Sequence, residues 1–219
     1  MSAGKEGSVR AILYALGANF GIAVSKFGAA WWTNSGSMLA EAIHSTADCV
    51  NQLLLLLGMR EARRPESADH PLGHHRVTYF WSMIVALLLF FMGGAFSVYE
   101  GIERLRHPHP LENGLVALLV LGVAVVLEAF SLAGAMREIR KVAHGKPFLR
   151  WFRETRESEL MVVAGEDIAA LAGLTLAFCA VAAALATGNP LWDALGTISV
   201  GVVLMVIAVL VMIEVKGLI

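Results

Sequence analysis

Long apolar runs separated by short polar turns make up most of this chain. A helix needs about 20 mainly apolar residues to cross the hydrocarbon of a bilayer. Runs of that order lie at 11–31, 36–59, 80–102, 111–136, 160–186 and 191–215, and each predicts a membrane-spanning α-helix. The expected fold class is therefore an all-α membrane protein with six transmembrane helices. The connections are a tight turn at Thr33–Gly36, a basic loop over Met59–Thr78, a short segment with Pro108 and Pro110, a second basic loop over Arg137–Glu159, and a turn at Thr187–Pro190. Proline disfavours helix at the preceding residue, so Pro108, Pro110 and Pro190 punctuate the pattern. Gly93, Gly94, Gly165, Gly173 and Gly201 supply small faces on which helices can approach closely.

Composition agrees with that reading and excludes others. The 219 residues are 57% hydrophobic and only 16% charged, where soluble domains carry about 25% charged residues. A soluble enzyme is excluded as the default, and a net charge of −1 gives no reason to expect a nucleic-acid partner. The placement of charge is more informative than its sum. Of the 17 Lys and Arg residues, fourteen fall on the side of the termini and the two basic loops, Arg104 and Arg106 fall on the other, and Lys26 lies inside the first span. That asymmetry predicts both termini in the cytosol. Residues 1–10 are polar and read as a cytosolic stub rather than a signal peptide, and 11–219 as the transmembrane domain. Cys49 and Cys179 sit in apolar stretches, so they read as packing residues, with no disulfide framework and no CxxC zinc site.

Ionisable side chains at membrane depth are costly and mark functional sites by default. Lys26, Glu41, His44, Asp48, Glu128, Glu166, Asp167 and Asp193 lie in or just inside the spans. At 100° per residue, His44 and Asp48 stand about 40° apart on the second helix, with Glu41 about 60° from His44. One stripe thus carries an imidazole and two carboxylates, and side chains at i and i+4 can hold one ion together. Imidazole with carboxylate suits zinc and other first-row metals better than magnesium or calcium. The plainer reading is a His–Asp hydrogen bond holding helices together. Glu166 and Asp167 on the fifth span favour a shared cation; they point about 100° apart, so Asp167 is taken as the ligand and Glu166 as a neighbour, proton carrier or pairing partner. Asn19 reads as helix glue. Asp193 reads as a favourable anion in the first turn of the last helix. Glu128 stays open, with Lys26 either pairing with it or snorkelling. Asp69, His70, His74 and His75 in the first basic loop are metal-capable, although loop histidines are more often simply solvated.

The segments NSGSMLAEAIHSTADCVNQ, DHPLGHHRVTYFW, YEGIERLRHP, GEDIAALAG and WDALGTISVGVVL resemble the cation diffusion facilitator family of zinc and related divalent-metal transporters, most closely its zinc transporter 9-like branch. The resemblance implies a membrane site with two ligands on span two and two on span five. His44 and Asp48 match the first pair and Asp167 the second ligand of the other pair, while the remaining position falls on Val163, which cannot ligate. Water, Glu166 or Glu41 would then complete a tetrahedral shell. Asp69, His70 and His74 resemble the family's accessory cytosolic metal site. Members usually continue into a cytosolic metal-binding domain, which this sequence does not reach. The resemblance also implies a homodimer.

The expected function is a proton-coupled antiport of a divalent cation by alternating access, with zinc (Zn2+) first and Mn2+, Fe2+, Co2+ or Ni2+ as alternatives. The expected partners are membrane lipid, metal ion and protons, and the expected location is a plasma or inner membrane. Two rival readings are a partner or regulatory subunit that does not transport, favoured by Val163, and a membrane metalloenzyme, against which stands the lack of an HExxH signature.

Overall fold

A computed structural model of the chain describes residues 3–33, 36–62, 77–108, 113–143, 145–155 and 158–217. Its elements are α1 (Ala3–Thr33), α2 (Gly36–Glu61), α3 (Val77–Leu88), a π-helical stretch (Leu89–Ala95), α4 (Phe96–Arg106), α5 (Gly114–Val142), α6 (Phe148–Glu154), α7 (Ser158–Thr187) and α8 (Leu191–Lys216). The described residues contain no strand. The third predicted span is one continuous helical rod, Val77–Arg106, with the π stretch at its middle. α1 begins at Ala3 and so runs through most of the predicted polar stub, and α5 continues past the predicted end at 136 to Val142.

Among the described residues, four rods are long and apolar enough to cross a membrane by length and composition: Val77–Arg106, Gly114–Val142, Ser158–Thr187 and Leu191–Lys216. α2 is as long as α8 but interrupts its apolar character with Glu41, His44, Ser45, Asp48, Asn51 and Gln52, all of them buried. The surface shows the inverse. Trp31 is 93% exposed, and Phe20 and Val24 on α1, Leu115, Leu119, Val123 and Phe130 on α5, and Val206 and Ile213 on α8 also face outward. Water would penalise so much exposed apolar area, whereas lipid accepts it. Together with these apolar rods, the inside-out distribution makes the chain an integral membrane protein.

Turn chemistry matches the sequence. Between α7 and α8, Gly188 takes φ +67° and the Asn189 side-chain oxygen accepts the Leu191 N–H at 3.0 Å. The Asn189 side chain thus takes up the first N–H of α8, just ahead of the N-cap Pro190. Asp193, in the first turn, is buried and lies 3.7 Å from the Arg104 guanidinium at the end of α4. α6 is an element the hydrophobic pattern did not predict: Pro147 precedes it with φ −58°, and Trp151 buries against Ile139, Ala143 and Ala164. On its exposed side Lys146 and Arg150 bracket Glu154 and hold its carboxyl at about 2, below the usual range.

Apolar clusters and small-residue contacts join the helices. α8 packs against α7 on one side and against α4 and the π stretch on the other, and α1 packs on α2. One apolar cluster joins Ala29, Met38, Leu89, Leu121, Leu174 and Leu204, and a second joins Leu55, Val85, Met161, Val162, Val211 and Val215. The predicted small faces are used: Gly201 meets the Gly94 carbonyl and the Val98 N–H, and Gly165 meets Val211. A methyl at Gly101 would lie 2.8 Å from the backbone nitrogen of Ile198, whereas Gly134 has open space around it.

These contacts set an expectation for stability in detergent. Gly101→Ala forces α4 and α8 apart and costs about 1–3 kcal/mol. Gly134→Ala is neutral or stabilising by up to about 1 kcal/mol through helix propensity. Thermal unfolding of the two variants side by side checks this, and equal shifts would contradict the packing.

Candidate metal centre

The inward stripe of α2 organises the site. Positions 41, 44, 45, 48, 51 and 52 recur at three- and four-residue intervals, so they share one face, and all six are buried. His44 is 1% exposed, and its Nδ1 lies 3.6 Å from Oδ1 of Asp48, one turn on. Both ring nitrogens of His44 lack a hydrogen-bond partner, as do Oδ1 of Asp48, Oε1 of Glu41, Oδ1 of Asn51 and Oε1 of Gln52. Buried polar atoms normally find partners, and each one left without costs on the order of 1–3 kcal/mol. Six such atoms lie on one face of one helix over about three turns.

The neighbours of the stripe are specific. On α1, the Lys26 ammonium donates to Oε2 of Glu41 at 3.0 Å and to Oγ of Ser45 at 2.8 Å, and all three side chains are buried. Glu41 is thereby tied on one oxygen, and its other oxygen lies against Gly173 of α7. Lys26 pairs with Glu41 rather than with Glu128 or with water. The Asn51 amide, on α2 itself, donates to Oε1 of Glu166 on α7. Asp167 turns the other way, and Oδ2 accepts a hydrogen bond from Ser131 of α5 at 3.4 Å. Glu128, also on α5, is buried within electrostatic reach of Asp167. The 100° between Glu166 and Asp167 is thus resolved, with Glu166 toward α2 and Asp167 toward α5.

Other predicted residues fall as follows. Among the described residues, no three His, Cys, Asp or Glu side chains stand close enough together to hold one ion. Val163 is half-buried against the cluster around Leu55 and Val211. Asp69, His70, His74 and His75 lie outside the described residues. Cys49 and Cys179 are both free, and Cys179 is exposed on the outer face. Asn19 is half-buried on α1.

Three features of the site escaped the sequence reading. Asn51 and Gln52 continue the His44–Asp48 stripe at the next turn, and that spacing was the available signal. Ser131 gave none. The third is the π stretch: the Phe96 N–H reaches the Phe91 carbonyl, and the Ser97 hydroxyl donates to the Gly93 carbonyl at 2.6 Å. A Cβ at Gly93 would lie 3.3 Å from Nδ1 of His44, so this irregular turn passes directly beside the imidazole. Single π turns inside α-helices are frequent at functional sites.

Asn51 gives a local test. Asn51→Leu removes the donor to Glu166 and leaves a buried carboxylate without it, costing about 1–3 kcal/mol. Asn51→Gln retains the amide and costs less. Thermal unfolding of both variants checks the contact; equal losses would show that the amide is not what matters.

Comparison with known proteins gives the family. Residues 12–216 match the cation efflux transmembrane domain. The chain is 40% identical over 178 residues to the Xenopus laevis proton-coupled zinc antiporter SLC30A9, mitochondrial, covering 80% of this chain and 32% of that protein. It is 35% identical over 205 residues to metal tolerance protein C4 of Arabidopsis thaliana, covering 92% of this chain and 45% of that protein. It is 30% identical over 129 residues to the zinc transporter ZitB of Escherichia coli, covering 58% of this chain and 41% of that protein. The chain therefore spans less than half the length of these relatives. The mitochondrial name of the first relative gives no support to the expected plasma-membrane location. The inward-facing polar stripe, the apolar rods and the match along nearly the whole sequence together place this chain in the cation efflux transmembrane domain family.

Proposed function

We propose that this domain carries a divalent metal ion across a membrane in exchange for protons, with zinc as the preferred ion. The observation that carries the reading is the set of partnerless buried nitrogen and oxygen atoms of α2 centred on His44 and Asp48. An imidazole nitrogen and carboxylate oxygens match the ligand preference of zinc, and the names of the relatives agree. Mn2+, Fe2+, Co2+ and Ni2+ are the other ions whose chemistry suits such a shell.

In this reading His44, Asp48 and Asp167 bind the ion, and Glu166, held between α2 and α7 by Asn51, is a further oxygen donor in place of the apolar Val163. Metal requires neutral imidazole and ionised carboxylate, so loading releases protons and reprotonation from the far side loosens the ion. α7 turns relative to α2 to bring Asp167 in from Ser131, and the π stretch beside His44 is where the third span yields. Six spans, both termini on the cytosolic side and a homodimer complete the proposal. Asp69, His70 and His74 form an accessory cytosolic site.

A second reading has one observation in its favour. Val163 cannot ligate, and the described carboxylates do not converge on one point, which suits a partner subunit that binds metal without moving it.

Uptake of zinc and manganese into proteoliposomes under an imposed pH gradient decides between them. The antiporter takes up zinc along the gradient; Asp48→Ala and Asp167→Ala each lower uptake by at least about a hundredfold, and Glu166→Gln by about tenfold. Normal uptake by Asp48→Ala would show the site to be misplaced. No flux of either metal through protein that still binds zinc would favour the partner subunit.

A further inference from the structure

Lys26 is a buried cation that the proposed ligand set does not use. A lysine at membrane depth is costly, and one near a helix end escapes by reaching to the interface. This one does not escape: it is 2% exposed, and its ammonium is fixed by Glu41 and Ser45. The two partners flank His44 along α2, one a turn before it and one directly after it. The ammonium therefore sits against the same stripe of α2 that carries His44 and Asp48. A fixed positive charge thus stands inside the acidic cluster that a divalent cation must enter.

Its partner is equally telling. Glu41 shares the stripe of His44 and Asp48, so without Lys26 it would be the third metal donor of α2. One of its oxygens is instead committed to the ammonium, and the other lies at Gly173 of α7. A purely structural pin between α1 and α2 needs no charge, because small-residue packing and a hydroxyl bond join membrane helices well. A carrier, by contrast, must hold its ion weakly enough to let it go.

We propose that Lys26 is a tethered counter-cation that withholds Glu41 from the transported ion and sets the affinity of the site low enough for release. Lys26 is a positioning residue: it acts through Glu41 and through its field on His44 and Asp48, and touches no ion itself. The proposal rests on the reading of His44 and Asp48 as ligands.

The test is zinc uptake by full-length protein in proteoliposomes, resolved into KM and maximal rate. Removing the charge in Lys26→Met lowers KM for zinc on the order of tenfold and lowers the maximal rate, because the ion now leaves slowly. Lys26→Arg keeps the charge and holds KM within about twofold of the parent. Glu41→Gln leaves the ammonium uncompensated and raises KM on the order of tenfold. The double variant Lys26→Met with Glu41→Gln returns KM toward the parent value. A merely structural pin predicts that both single variants raise KM or lose protein alike, and that result overturns the proposal, as does an unmoved KM in folded Lys26→Met. Should Lys26→Met not fold, Glu41→Gln carries the decision, and an unchanged or lowered KM there is contrary. Zinc flux that survives Asp48→Ala sinks the ligand reading itself. Flux lost in Asp48→Ala, with KM unmoved in the Lys26 and Glu41 variants, sinks only the counter-cation.

Discussion

Everything in this domain follows from the cost of polar groups in a solvent that cannot hydrogen-bond. α2 carries six polar side chains on one face and cannot show that face to lipid. It must turn inward, and α1, α7 and the third span then close around it. Each neighbour meets the stripe with one specific device: α1 with Lys26, α7 with Glu166 and with Gly173, and the third span with a glycine at its π turn. The bundle is arranged around a polar centre that it shields, and apolar packing supplies the walls.

That arrangement separates two jobs within one cluster. The Lys26–Glu41 pair and the Asn51–Glu166 hydrogen bond tie α2 to its neighbours, with one oxygen each of Glu41 and Asn51 left without a partner. His44 and Asp48, between them, keep unpartnered atoms. Under the proposed function, these ties on either side of His44 and Asp48 keep the donors from collapsing onto one another. α5 stands behind, with Glu128 and Ser131 facing Asp167, so that a carboxylate is available on either side of α7.

Much of the fold was legible because membrane spans are set by length and hydropathy alone. The helical rods and the turn at Thr187–Pro190 follow from runs, prolines and glycines. α6 was not legible, since seven residues with one buried Trp151 are too short for a periodic signal. The π turn brings Gly93 and Gly94 close to α2 and α8, a juxtaposition that no local pattern encodes. At the site, helical spacing was enough to place His44, Asp48 and Glu41 on one face and to set Glu166 apart from Asp167. It was not enough to say which of that pair faces α2, or that Lys26 reaches Glu41, because both depend on how neighbouring helices are rotated.

The central claim is that a metal ion binds to an imidazole and carboxylates of α2 and α7. X-ray absorption at the zinc edge, on zinc-loaded protein with one ion per chain, tests it most directly. The account predicts a shell of nitrogen and oxygen at about 2.0–2.1 Å with the scattering of a single imidazole, lost in His44→Ala. A sulfur shell at about 2.3 Å, or several imidazoles that persist in His44→Ala, would contradict it and move the ion to Cys49 or to the loop histidines.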